Sequence, residues 1–207
     1  MVGSFNPAIF QPRWLGAQGL IRPEEAAAAK ITIIQAEVAD FSTEWFQLQV
    51  LQNRLMITTG DPGHFAPLRD LGAGVVTLLP HTPIQRLGLN RMLHFKMPSI
   101  EEWHRVGDTI APKQPWKKIM EGAGLRSVLI EGRRRNGSEG LLHIKVEPSA
   151  KVQPGVYVEI NEEFRSVAAD GQTEGAEWVR DLLAGNWDDF MAFAQEGAEH
   201  VRGLSES

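Results

Sequence analysis

The chain has no cysteine among its 207 residues. That removes disulfides, thiol nucleophiles, cysteine-held zinc and iron–sulfur ligation together. No stretch approaches the ~20 consecutive apolar residues that a membrane-spanning helix needs. Met1 to Pro7 lacks the basic segment and apolar run of a secretory leader. The expectation is a soluble cytoplasmic protein with no membrane attachment.

Several catalytic signatures are also missing. There is no Gly-x-Ser-x-Gly, so the strained serine elbow of one hydrolase class is not encoded, although a spatial Ser–His–Asp site leaves no such trace. The six histidines, His64, His81, His94, His104, His143 and His200, form neither His-x₃-His nor His-Glu-x-x-His. A zinc site would have to bring His94, His104 and His143 together with Glu102 or Asp108 through the fold. Nothing in the spacing demands that, so no metal is expected. Gly72-Ala73-Gly74 follows a helical pattern and Gly122-Ala123-Gly124 precedes a strand, whereas a dinucleotide fingerprint needs a strand before and a helix after. No cofactor is expected.

What remains is an ordinary globular composition, 43 % apolar and 23 % charged, with a net charge of −5. The balance argues mildly against a general nucleic-acid binder. The clearest local signal runs from Leu125 to Phe164. Leu142, Ile144 and Val146 alternate with His143, Lys145 and Glu147, and Val156, Val158 and Ile160 alternate with Tyr157, Glu159 and Asn161. Period-2 alternation predicts strands with one buried and one wetted face, and Asn136-Gly137 is the residue pair a tight hairpin prefers.

Elsewhere Pro23-Glu24-Glu25 and the following alanines predict a helix start. Phe46, Leu48 and Val50 predict a strand, with a hairpin tip at Gln52-Asn53, and Phe65 to Leu79 carries helical spacing. Ala8 to Leu15 reads as an edge strand interrupted by Pro12. Ile84 to Met97 is a long strand with a bend or bulge expected near Gly88. Ser99, three residues before Glu102, predicts a capped helix that Gly107 ends. Val167 to Gly175 reads as a linker. Two amphipathic helices follow, separated at Gly185-Asn186, and the tail from Gly203 is expected to fray.

Together His81-Thr82-Pro83-Ile84, Gly88-Leu89-Asn90, Trp103-His104, Gly107-Asp108, Ala111-Pro112-Lys113, Trp116, Val146-Glu147-Pro148-Ser149 and Pro154-Gly155-Val156-Tyr157 form a run of phrases. In this the chain resembles a family of uncharacterised bacterial proteins of similar length, over roughly residues 5 to 165. The resemblance implies a bacterial protein and transfers no catalytic residue.

Two groups of residues are candidates for function. Arg86, Asn90 and His94 recur every fourth position on the wetted side of one strand and so project the same way. With His143 they form a candidate ligand-binding or catalytic set if something covers that face. Otherwise they are ordinary surface or a satisfied network. Arg133, Arg134 and Arg135 at a hairpin tip are a candidate nucleic-acid contact; the competing reading is solvated turn residues beside Glu131 and Glu139.

The sequence predicts an α+β fold: an antiparallel sheet of about six or seven strands, helices packed on one face, and a C-terminal helical pair. Residues 1–165 would form the sheet domain, with 166–207 packed on it. The leading functional expectation is a non-enzymatic binding or assembly protein. It would act on itself, as a homo-oligomer through the aromatic C-terminal helices (Trp178, Trp187 to Phe193), or on another protein; nucleic acid is the less favoured partner.

Overall fold

A computed structural model describes residues 1–135, 137–166 and 175–206. Among them the strands are β1 Val2–Gly3, β2 Lys30–Ile34, β3 Val38–Ser42, β4 Gln47–Leu51, β5 Arg54–Thr58, β6 Ile84–Lys96, β7 Val128–Gly132, β8 Leu141–Pro148 and β9 Gly155–Arg165. The helices are α1 Pro12–Ala17, α2 Pro23–Ala28, α3 Phe65–Leu78, α4 Ile100–Ile110 and α5 Glu177–Gly203. The fold is α+β, and the strands hydrogen-bond in the order β2-β3-β4-β5-β1-β6-β9-β8-β7. The sheet thus has nine strands among the described residues, where six or seven were expected. The additional strands are short or weakly patterned: β1 has two residues, and β2 and β3 lack a clean polar–apolar alternation. The chain divides into two compact units, Met1–Leu87 with Arg165–Trp187, and Gly88–Phe164 with Asp188–Ser207.

In the first unit, β2 to β5 form an antiparallel meander, and β1 pairs with β5 on one side and with the start of β6 on the other. The Gln52-Asn53 tip lies where the alternation places it, between β4 and β5. Phe10, Leu15, Phe41, Leu48, Val50 and Leu55 are almost fully buried. Burying each such side chain is worth about 1.5–3 kcal/mol. The expected edge strand around Pro12 is a helix instead. Proline has no N–H to lose at the first helical position, and Pro12 occupies that position in α1. In α2 the Glu25 carboxylate accepts twice from Arg22, from its backbone N–H at 2.9 Å and from its guanidinium Nη2 at 2.9 Å.

In the second unit, the remainder of β6 continues into β9, β8 and β7. Leu142, Ile144 and Val146 pair with Glu162, Ile160 and Val158 on one face; His143, Lys145 and Glu147 pair with Asn161, Glu159 and Tyr157 on the other. Ser99 caps α4 by accepting from the Glu102 N–H at 3.1 Å, as its spacing predicts, but the helix runs past Gly107 to Ile110. Among the described residues the tail from Gly203 is not frayed as expected: Ser205 is buried, and its carbonyl accepts from Arg105 Nε at 2.7 Å.

The predicted helical pair is one helix, α5, continuous through Gly185-Asn186. A mid-helix glycine costs about 1 kcal/mol relative to alanine. Here Asn186 Nδ2 donates to the Leu182 carbonyl one turn back, and the apolar stripe of Val179, Leu183, Phe190, Ala194 and Ala198 is buried on both sides of the glycine. Packing along that stripe outweighs the local penalty. The predicted linker lies outside the described residues except for Gly175. Asn136 lies outside them as well, while its neighbour Gly137 has a φ of +83°, the left-handed conformation suited to a tight turn.

Candidate functional site

The wetted face of the second unit carries a hydrogen-bonded polar plate spanning four strands. Asn161, on the central strand β9, is its hub. Its Nδ2 donates to Asn90 Oδ1 on β6 at 2.8 Å and to the Leu89 carbonyl at 3.4 Å, and Asn90 Nδ2 donates in turn to the Gly88 carbonyl. On β8, His143 directs Nδ1 at Asn161 Oδ1, 3.2 Å away, and Nε2 at Glu131 Oε2 on β7, 3.1 Å away. Both ring nitrogens therefore face acceptors. Gly88 makes room for this arrangement. A Cβ there would lie 2.9 Å from Asn161 Nδ2. β6 is one strand from Ile84 to Lys96, and the irregularity expected near Gly88 lies at its start, where Arg86 and Ile84 pair with the consecutive residues Val2 and Gly3 and leave Gln85 extra.

The plate continues along β9 and β8. The His94 ring lies against the Tyr157 ring with centroids 4.7 Å apart. Its Nδ1 is 2.9 Å from Ser149 Oγ. That hydroxyl already accepts the backbone N–H groups of Lys151 and Val152 at 3.1 Å each, so its own proton points at His94. Ser149 is buried, and with its oxygen occupied in this way it is a structural serine rather than a nucleophile. The Tyr157 hydroxyl donates to Glu159 Oε2 at 2.8 Å; burial, then that carboxylate, holds its pKa above the usual value. The Lys145 ammonium pairs with Glu147 at 2.8 Å, which raises the lysine pKa and lowers that of the glutamate.

Desolvation, followed by the charge of Lys151, lowers the pKa of His94 from its ordinary 6.5. The fold thus favours the neutral ring. Below the ordinary value the unfolded chain takes up the proton more readily, so stability is complete above that pH and declines as pH falls through it. Acidification from neutral into the mildly acidic range is expected to lower the urea midpoint of the native chain more than that of His94→Asn. Parallel pH profiles for the two would remove His94 as the cause.

Of the residues singled out in the sequence, Asn90 and His143 join one network through Asn161, and His94 lies on the same face. Arg86 is exposed on the part of β6 that belongs to the first unit. The plate itself is open: its histidines and Asn161 are partly exposed, Asn90 and Glu131 are exposed, and Met92 beside them is 52 % exposed. Among the described residues no three His, Asp or Glu side chains gather as a metal site would require. No helix among them is long and apolar enough to cross a membrane.

The arginine tip separates into unlike members. Arg133 and Arg135 are exposed, with Arg133 Nη1 3.4 Å from the Glu139 carbonyl. The Arg134 side chain is 3 % exposed and is tied to Glu162 at 3.2 Å and Asp189 at 2.8 Å, with its guanidinium 4.3 Å over the Phe193 ring. It presents no charge to a phosphate backbone. The aromatic residues of α5 are likewise engaged within the fold: Trp178 Nε1 donates to the Ile84 carbonyl, and Phe193 carries Arg134.

A separate small cleft of about 90 Å³ in the same unit is lined mainly by apolar groups, among them Trp103, Val106, Leu125, Val146 and Val156, together with Asp108 and Lys113, which pair at 2.7 Å. None of Asn90, His94 and His143 lines it. Of the residues that complete the plate, Asn161 and Tyr157 stand in the sequence on an alternating strand, Tyr157 also within the phrase Pro154-Gly155-Val156-Tyr157, and Glu131 only beside the arginine tip. No motif distinguished them.

No protein-family model matches the chain, and searches of curated proteins and of solved structures return no match.

Proposed function

We propose that this chain is a non-enzymatic binding protein that engages a protein partner through the wetted sheet face of its second unit, in a bacterial cytoplasm. The observation that carries the reading is the polar plate Asn90–Asn161–His143–Glu131. It is preorganised by hydrogen bonds within itself, lies open rather than enclosed, and is flanked by the exposed Met92. Side chains already fixed by their neighbours lose little entropy on contact, which favours recognition. The same saturation weighs against acid–base chemistry, because His143 would have to give up a bond before it could reach a substrate proton. Charge favours a protein over a nucleic acid. Glu131, Glu147, Glu159 and Glu163 stand on this face against Lys145 and Lys96, and the whole chain is net negative.

A photo-crosslinking residue placed at Met92 in the native cell tests this. The expected result is a discrete adduct with another protein that disappears when Lys145→Glu and His94→Ala are added to a chain that still folds. An adduct pattern at Met92 no different from that at an exposed position elsewhere, such as Glu196 on α5, would defeat the reading.

A further inference from the structure

β7 ends the strand order, so one of its edges is paired with β8 and the other is not. Among the described residues its backbone makes no hydrogen bond outside that ladder. Natural edge strands are usually blunted by lysine, proline or a bulge, because unpaired N–H and C=O groups template another strand. β7, Val128-Leu129-Ile130-Glu131-Gly132, has no lysine, proline or bulge, its one charge is Glu131, and its pairing with β8 is in regular register throughout. It also presents apolar side chains on both faces of the sheet. Leu129 shares the face of Lys145 and is 63 % exposed; Ile130 shares the face of Ile144 and is 53 % exposed.

We infer that the free edge of β7 pairs with the β7 edge of a second copy of this chain, antiparallel about a two-fold axis, so that the sheet continues from one protomer into its partner. The occupant follows from the charge register. With Ile130 opposite the partner's Ile130, Glu131 falls opposite the partner's Leu129, and the one carboxylate of the strand meets no like charge. A register centred on Glu131 would set the two carboxylates against each other, which is unfavourable. The self-complementary pairing closes after two chains, as an isologous interface must. Its size sets its strength. Five-residue strands cover far less than the roughly 1,200 Å² of stable specific complexes, so the dimer is transient and concentration-dependent.

Sedimentation velocity on the full chain, from micromolar to near-millimolar concentration, tests this. The expected result is an average mass rising from one chain toward two. Ile130→Lys and Leu129→Lys, which place a charge on opposite faces of the edge, are each expected to weaken association by about tenfold or more, with their melting temperatures near that of the native chain. Having both variants keeps the test decisive if either misfolds. A single-chain mass at every concentration, or association unaltered in both variants, would overturn the inference. Glu131 of the plate also lies on β7, but the two readings are told apart by their readouts: chain mass for the edge, and adducts at Met92 on β6 for the plate.

Discussion

Replacing Glu162 with alanine is expected to destabilise the protein by about 3–5 kcal/mol, among the largest effects available to any single substitution here. Glu162 is fully buried on β9, on the side opposite the polar plate. Its Oε2 accepts from Arg134 Nη1 at 3.2 Å and its Oε1 accepts from the Ser138 hydroxyl. Glycine at 140 leaves the carboxylate its place, since a Cβ there would sit 2.5 Å from Glu162 Cγ. Removing the carboxylate leaves a guanidinium that is 3 % exposed, with only Asp189 still paired to it. Arg134 Nε already lacks a partner, so the site has no spare acceptor to take over.

The cost lies in the orphaned charge rather than in the lost bond. The double replacement Arg134→Met/Glu162→Leu is therefore expected to be near neutral or stabilising, despite removing the same ion pair. Urea midpoints at unchanged m-value measure both effects. A Glu162→Ala variant within about 1 kcal/mol of the native chain would show that the pair is hydrated in solution.

Phe41→Ala, in the first unit, is expected to cost about 3–5 kcal/mol, while Ile31→Ala stays within about 1 kcal/mol. The two residues are direct cross-strand partners on β3 and β2, which makes the contrast informative. Phe41 is fully buried and packs edge-on against Phe46, with ring centroids 6.1 Å apart. Ile31, across the ladder, is 58 % exposed, because β2 is the last strand on that side. Deleting a buried ring leaves a cavity as well as losing its transfer energy, whereas trimming an edge residue does neither. Equal losses for the two variants, measured in the same denaturant series, would contradict the burial described here.

Parts of the fold are legible in the sequence and others are not, for a physical reason. Period-2 alternation is a property of neighbouring residues, and it correctly separated the two faces of β6, β8 and β9. Caps are equally local, and Ser99 acts as its spacing predicts. At Gly185 local preference pointed to a break. The helix continues because the stripe buried on either side of the glycine contributes more than the glycine costs. Within the candidate site, Asn90, His94 and His143 could be named from their strand faces alone. The residue that joins Asn90 to His143 could not, because β9 hydrogen-bonds between β6 and β8 although it follows β8 in sequence.

By itself, then, the sequence determined the α+β class, the exclusion of cysteine chemistry, and which side of each alternating strand is polar. All of these follow from residue identity and short-range spacing. Tertiary structure decided which polar residues meet and which charge is buried. Arg133, Arg134 and Arg135 look alike in the chain, yet only Arg134 lies opposite Glu162 and Asp189 and leaves solvent. A charge can be buried only where partners from distant segments compensate its desolvation. No local pattern in the sequence records that pairing.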